Sequence, residues 1–137
     1  MTRQPDWMRR LEALLKARRE QAFAWGSNDC CMWAADVVQA VTGTDPAADL
    51  RGRYSTEGEA HSVIDAAGGL AALAAARLGP EVPVLCARAG DVGLLQQPDG
   101  TEALAACLGP HWQAVTPAGL WTVPTSWVVR CWRCEVI

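Results

Sequence analysis

Cys30 and Cys31 stand side by side directly after Gly26-Ser27-Asn28-Asp29, four residues of the types that cap a helix. A thiol in the first turn of a helix meets unsatisfied backbone N–H groups and the positive end of the helix dipole, which favour thiolate. Cys30 is therefore the candidate nucleophile. Cys31 is turned by about 100° around the helix and faces a different neighbourhood, beside Ala35 and Val38. Packing is the alternative for both, since free cysteine is among the most buried residue types.

A nucleophile needs a base, and the chain has two histidines. His61, between Ala60 and Ser62, reads as a solvated position on a helix. His111 follows the Gly109-Pro110 turn and opens a strand, so it reaches Cys30 only if that hairpin bends toward the cysteine helix. The spacing Cys131-Trp132-Arg133-Cys134 is that of a metal knuckle, but a metal site needs four ligands and a turn that gathers the sulfurs. These flanks read as strand, where residues three apart point to opposite faces. Packing is the expectation for Cys131, Cys134, Cys86 and Cys107, with a metal-binding structural module as the remaining reading.

The elements that must position these groups fall in two halves. Trp7, Met8, Leu11, Leu14, Leu15 and Arg18 recur at helical spacing. Cys30 to Val41 reads as a second helix, stopped by Thr42-Gly43, with Cys30, Trp33, Ala34, Val37 and Val41 on one face. Thr56 and Glu59 have capping-box spacing and open a third helix that ends near Gly68-Gly69, and Leu70 to Leu78 reads as a fourth. From Val82 the pattern changes to short apolar runs, "VPVLC", "DVGLLQ", "EALAACLG", "HWQAVT", "LWTV" and "SWVVRCWRCEVI", separated by turn residues. Helices followed by strands predict an α+β domain, N-terminal helices packed on an antiparallel sheet.

With 137 residues and 50% hydrophobic content, a single domain over 1–137 is expected. A net charge of -3 argues against nucleic acid as a partner. No segment resembles a secretory signal or is long and apolar enough for a membrane span, so the six cysteines are expected reduced. Seven tryptophans, four of them in the strand half (Trp112, Trp121, Trp127, Trp132), are more than a small sheet buries, which implies that some face a partner. Trp25 and Trp33 flank the cysteine helix start and are candidates to line its cleft.

Trp25-Gly26-x-x-Asp29-Cys30 at a helix start, Gly90-Asp91-Val92 opening a strand and the glycine-ended "ALAACLG" resemble the NlpC-type branch of the papain-like cysteine peptidases. Thr42-Gly43-Thr44-Asp45-Pro46, Arg51-Gly52-Arg53-Tyr54 and Gly119-Leu120 are similar to motifs of its small phage-encoded members. The resemblance implies a papain-like fold, Cys30 as nucleophile and peptidoglycan stem peptides as substrate. It also implies a place in the virion, at the tail tip or baseplate, among other tail-tip proteins, after synthesis in the host cytoplasm. No cofactor is implied. The family carries its base at the start of the strand reading H-V-G-I-Y-L-G, where this chain has Ala103-Leu104-Ala105-Ala106-Cys107-Leu108-Gly109. The expectation is a virion component degenerate in catalysis. The alternative is an active hydrolase with His111 as substitute base.

Overall fold

The computed structural model describes residues 1–136. Four helices come first, α1 (Trp7–Arg18), α2 (Cys30–Thr42), α3 (Glu57–Ala66) and α4 (Leu70–Arg77). Six strands follow, β1 (Glu81–Val82), β2 (Val92–Gln96), β3 (Glu102–Cys107), β4 (Trp112–Thr116), β5 (Gly119–Val123) and β6 (Val128–Trp132). The strands form one sheet in the order β1-β6-β2-β3-β4-β5, every neighbouring pair antiparallel. The α+β arrangement anticipated from the pattern is the one the chain adopts.

The helix boundaries follow from local chemistry. Asp29 caps α2 by accepting the Met32 N–H, and Gly43, at φ 79°, ends it by donating its N–H to Gln39. Gly supplies this left-handed conformation without a Cβ clash. Thr56 Oγ1 accepts the Glu59 N–H at 3.2 Å, while the Glu59 carboxylate reaches back to the Ser55 N–H at 3.1 Å. The fourth helix ends one residue short of the expected Leu78, whose N–H already serves as its cap.

Nearly every side chain of α2 from Met32 to Thr42 is buried, because this helix lies between the sheet and the other helices. Trp33, Ala34, Val37, Val38 and Val41 pack with Val92, Leu94, Leu104, Ala106, Val115 and Trp132 of the sheet. Burying an indole removes about 150–250 Å² from water, worth roughly 4–6 kcal/mol before ordering costs. Trp33 and Trp132, both fully buried, thus hold the helix on the sheet. The opposite sheet face has its own cluster of Leu95, Ala105, Cys107, Trp112, Ala114, Val123, Val128 and Cys131.

Several expectations need correction. Met8 is 67% exposed, so the α1 stripe narrows to Leu11 with half-buried Trp7, Leu14 and Leu15. In "VPVLC" only Val82 belongs to a strand; Pro83, which has no N–H for a ladder, starts a 3₁₀ turn over Val84–Cys86. Cys86 is consequently exposed rather than packed. Among the described residues the final run is strand only over β6, preceded by a 3₁₀ turn at Thr125–Trp127, and Ile137 lies outside them. No described helix is long and apolar enough to cross a membrane.

Candidate functional site

The loop that presents Cys30 is pinned by a buried carboxylate. Asp29 Oδ1 accepts the Met32 N–H at 2.9 Å, and Oδ2 accepts the Gly26 N–H at 2.8 Å and the Tyr54 hydroxyl at 2.7 Å. Burial, then the adjacent Asp29, push the Tyr54 hydroxyl well above its ordinary pKa, so it stays a donor. Gly26 has φ 83°, and a Cβ there would stand 2.1 Å from the Tyr54 carbonyl oxygen. The Trp25-Gly26 pair is thus a close backbone approach that only glycine permits. Asn28 completes the loop by accepting from Arg18 at 2.8 Å and donating to the Ala22 carbonyl at 2.8 Å.

A second tier holds α2 from behind. Arg18 pairs with Asp36, which is 8% exposed, and Arg51 bridges Asp36 and Asp45. The Gly52 N–H donates to the Gly26 carbonyl at 3.1 Å. The stretches around Asp45 and Arg51-Gly52-Arg53-Tyr54 therefore brace the cysteine loop. Their spacing in the sequence carries no sign of this role; charge and a tyrosine after two arginines were the available signals.

Cys30 lies at an opening in the sheet. Alternation along an antiparallel ladder directs the Leu104 N–H toward β4, as the Leu108 N–H to His111 carbonyl bond shows for the same side. The β3–β4 pairing ends at Ala106 and Gln113, although β3 runs on beside β2 and β4 beside β5. The two strands splay, and the start of α2 fills the gap. The Trp33 indole N–H donates to the Gln113 carbonyl at 3.0 Å, and the Leu104 amide faces the Cys30 thiol.

The two thiols are differentiated by this setting. The Cys31 thiol, foremost, and the Leu104 and Cys31 amides lower the Cys30 pKa, against the opposing effects of burial and Asp29. Cys31 moves the other way, raised first by Cys30 and then by burial. Because a depressed pKa enlarges the thiolate fraction at lower pH, Cys30 is expected to react with iodoacetamide at pH values where Cys31 does not. Peptide mapping after alkylation along a pH series reads this directly; equal labelling, or Cys31 first, would contradict the assignment.

No imidazole completes the pair. His111 is exposed in the β3–β4 turn and lines a surface groove with Leu15, Arg19, Leu108, Gln113 and Leu120. Leu108, its partner, lies four residues along the chain from Leu104, so about 13 Å of sheet lies between His111 and the Cys30 contact. The structure does not bring Cys30 and His111 together. His61, 64% exposed on α3, has Glu57 at 3.9 Å. The apolar cavity beside Cys31, lined also by Ala34, Leu50, Leu73 and Leu104, holds only about 40 Å³ and is a packing gap. Trp33 is fully buried and lines no cleft, whereas Trp25 is half-buried, edge-on to Phe23 at 4.8 Å.

The other cysteines are dispersed. Cys107 and Cys131 belong to the cluster on the sheet face away from the helices, and Cys134 to the helix-side core. Cys131 and Cys134 thus point to opposite faces, and burial pushes each thiol up to about 12. Among the described residues, no group of three or more His, Cys, Asp and Glu side chains is placed to hold a metal ion. Asp91 is fully buried, accepting from the Arg88 and Cys134 amides and from Arg133 at 2.7 Å. Its work is to fasten the chain after β6 to the start of β2.

The arrangement can stabilise a thiolate at a helix N-terminus, but neither histidine stands beside it to protonate a leaving amine. A protein-family model described as a domain of unknown function (DUF6950) matches residues 2–134. No curated protein and no solved structure matches the chain.

Proposed function

As the chain belongs to the DUF6950 family over nearly its whole length, we propose from its site that it is a papain-like, NlpC-type domain retired from catalysis, acting as a structural or assembly subunit of a phage tail tip or baseplate. One observation carries the reading: Cys30 keeps the placement of a nucleophile, while both histidines lie elsewhere. The order of elements, a cysteine at the start of a buried helix followed by an antiparallel sheet, supports the papain-like comparison. So does the work of the motif residues: Gly26, Asp29, Tyr54 and Asp91 all serve the framework rather than the thiol chemistry.

The lowered Cys30 pKa favours a second reading, an active stem-peptide hydrolase. Release of peptide fragments from purified peptidoglycan separates the two, comparing wild type, Cys30→Ala and His111→Ala, as isolated protein and within mature tails. The expected result is no release above the Cys30→Ala background in either preparation, with the chain present in the tails by mass spectrometry. Release that disappears with Cys30→Ala would establish the hydrolase, and its loss with His111→Ala as well would make that histidine the base.

A further inference from the structure

The two edges of the sheet are built differently. β1 offers two residues, lies between Pro80 and Pro83, and carries Glu81 paired with Arg130 at 2.7 Å. Shortness, proline and charge are the usual means of keeping an edge from pairing. β5 has none of these: Gly119-Leu120-Trp121-Thr122-Val123 is neutral, free of proline and regularly paired with β4 along its whole length. Its central Trp121 is 56% exposed, on a chain whose other tryptophans are buried or half-buried.

We propose that the free edge of β5 pairs with the same edge of a second copy of this chain, antiparallel across a twofold axis through Trp121. The register follows from the hydrogen-bond alternation. Gln113 and His111 direct their backbone groups to β3, so Trp112, Ala114 and Thr116 direct theirs to Val123, Trp121 and Gly119. Leu120 and Thr122 are left with N–H and C=O groups pointing outward.

Centring the pair on Trp121 sets Leu120 of each copy opposite Thr122 of the other. Both outward groups of both residues are then satisfied, in a closed set of four bonds. Trp121 meets its own symmetry mate at a non-hydrogen-bonded position, where side chains approach most closely and aromatic pairs are favourable. A strand with no charge opposes itself without repulsion, which is the condition for an isologous contact. Two indoles of about 150–250 Å² each and one pair of strands make an interface at the small end of specific ones. The dimer is accordingly weak and concentration-dependent. This surface is separate from Cys30 and stands whether or not that thiol is catalytic.

Sedimentation over a concentration series tests it. Wild type is expected to pass from monomer to dimer, and Thr122→Pro to dissociate about tenfold or more readily, since proline removes an outward donor without touching the β4 ladder. Thr122→Ala keeps the N–H and should dimerise like wild type, and circular dichroism confirms that the proline variant is folded. Trp121→Cys is expected to form a disulfide between copies at the substituted position, identified by mass spectrometry of the linked peptide. A wild-type chain that stays monomeric at its highest soluble concentration overturns the proposal and leaves the edge to a foreign strand. A dimer unaffected by Thr122→Pro overturns it equally.

Discussion

Asp29→Ala is expected to lower stability by at least about 3 kcal/mol, from loss of the α2 cap, about 1 kcal/mol, and from two stranded donors at about 1–3 kcal/mol each. The donors are the Gly26 amide and the Tyr54 hydroxyl, which share Oδ2 of a side chain only 1% exposed. Water cannot easily replace the carboxylate there, so the loss falls on the folded state. Urea titration measures it as a lower midpoint at unchanged slope. Tyr54→Phe, which deletes one donor with its own oxygen, should cost about 1–2 kcal/mol. A double-mutant cycle between the two should show coupling, because the hydroxyl has no acceptor once Asp29 is gone. A midpoint for Asp29→Ala within experimental error of wild type would remove the carboxylate from the framework and return it to the chemistry of the thiols.

The second large effect is at Asp91. Its carboxylate is fully buried and takes two backbone amides, Arg88 at 2.9 Å and Cys134 at 3.0 Å, besides the Arg133 guanidinium. Breaking a buried, hydrogen-bonded ion pair from one side costs about 3–5 kcal/mol. Arg133 keeps a side-chain exposure of 20%, so its charge can hydrate, which places Asp91→Ala toward the lower end of that range. The same substitution frees the backbone at Cys134, whose thiol is buried against Val41 and Gly90. Faster modification of Cys134 by a thiol reagent should accompany the loss of stability. Unchanged Cys134 protection with a lowered midpoint would mean that Asp91 supports Arg133 alone, not the chain end.

What was legible in the sequence is what is local. Asp29 as a cap, Gly43 as a stop and the Thr56–Glu59 pair need only a few neighbouring residues, and each functions as its type implies. The order of helices and strands was readable for the same reason. What the sequence concealed is long-range: Tyr54 meets a carboxylate 25 positions away, and Arg133 one 42 positions away. The opening beside Cys30 depended on where the β3–β4 ladder stops, at Ala106 and Gln113, which no periodicity records. Pro83 did carry a local signal against a strand in "VPVLC", outweighed in the pattern by four apolar neighbours.

The strand order has a consequence for how the protein is made. The last of the described strands, β6, lies between β1 and β2, and β2 has only β3 on its other side. While the chain is being synthesised, β2, β3, β4 and β5 can assemble as consecutive hairpins, but one flank of β2 stays bare until β6 has emerged. The tie from Asp91 to Arg133 and Cys134 closes later still. A nascent chain therefore exposes an unpaired, apolar strand until β6 has been made. Any pause in translation between β5 and β6 would prolong the interval in which that strand can find the wrong neighbour.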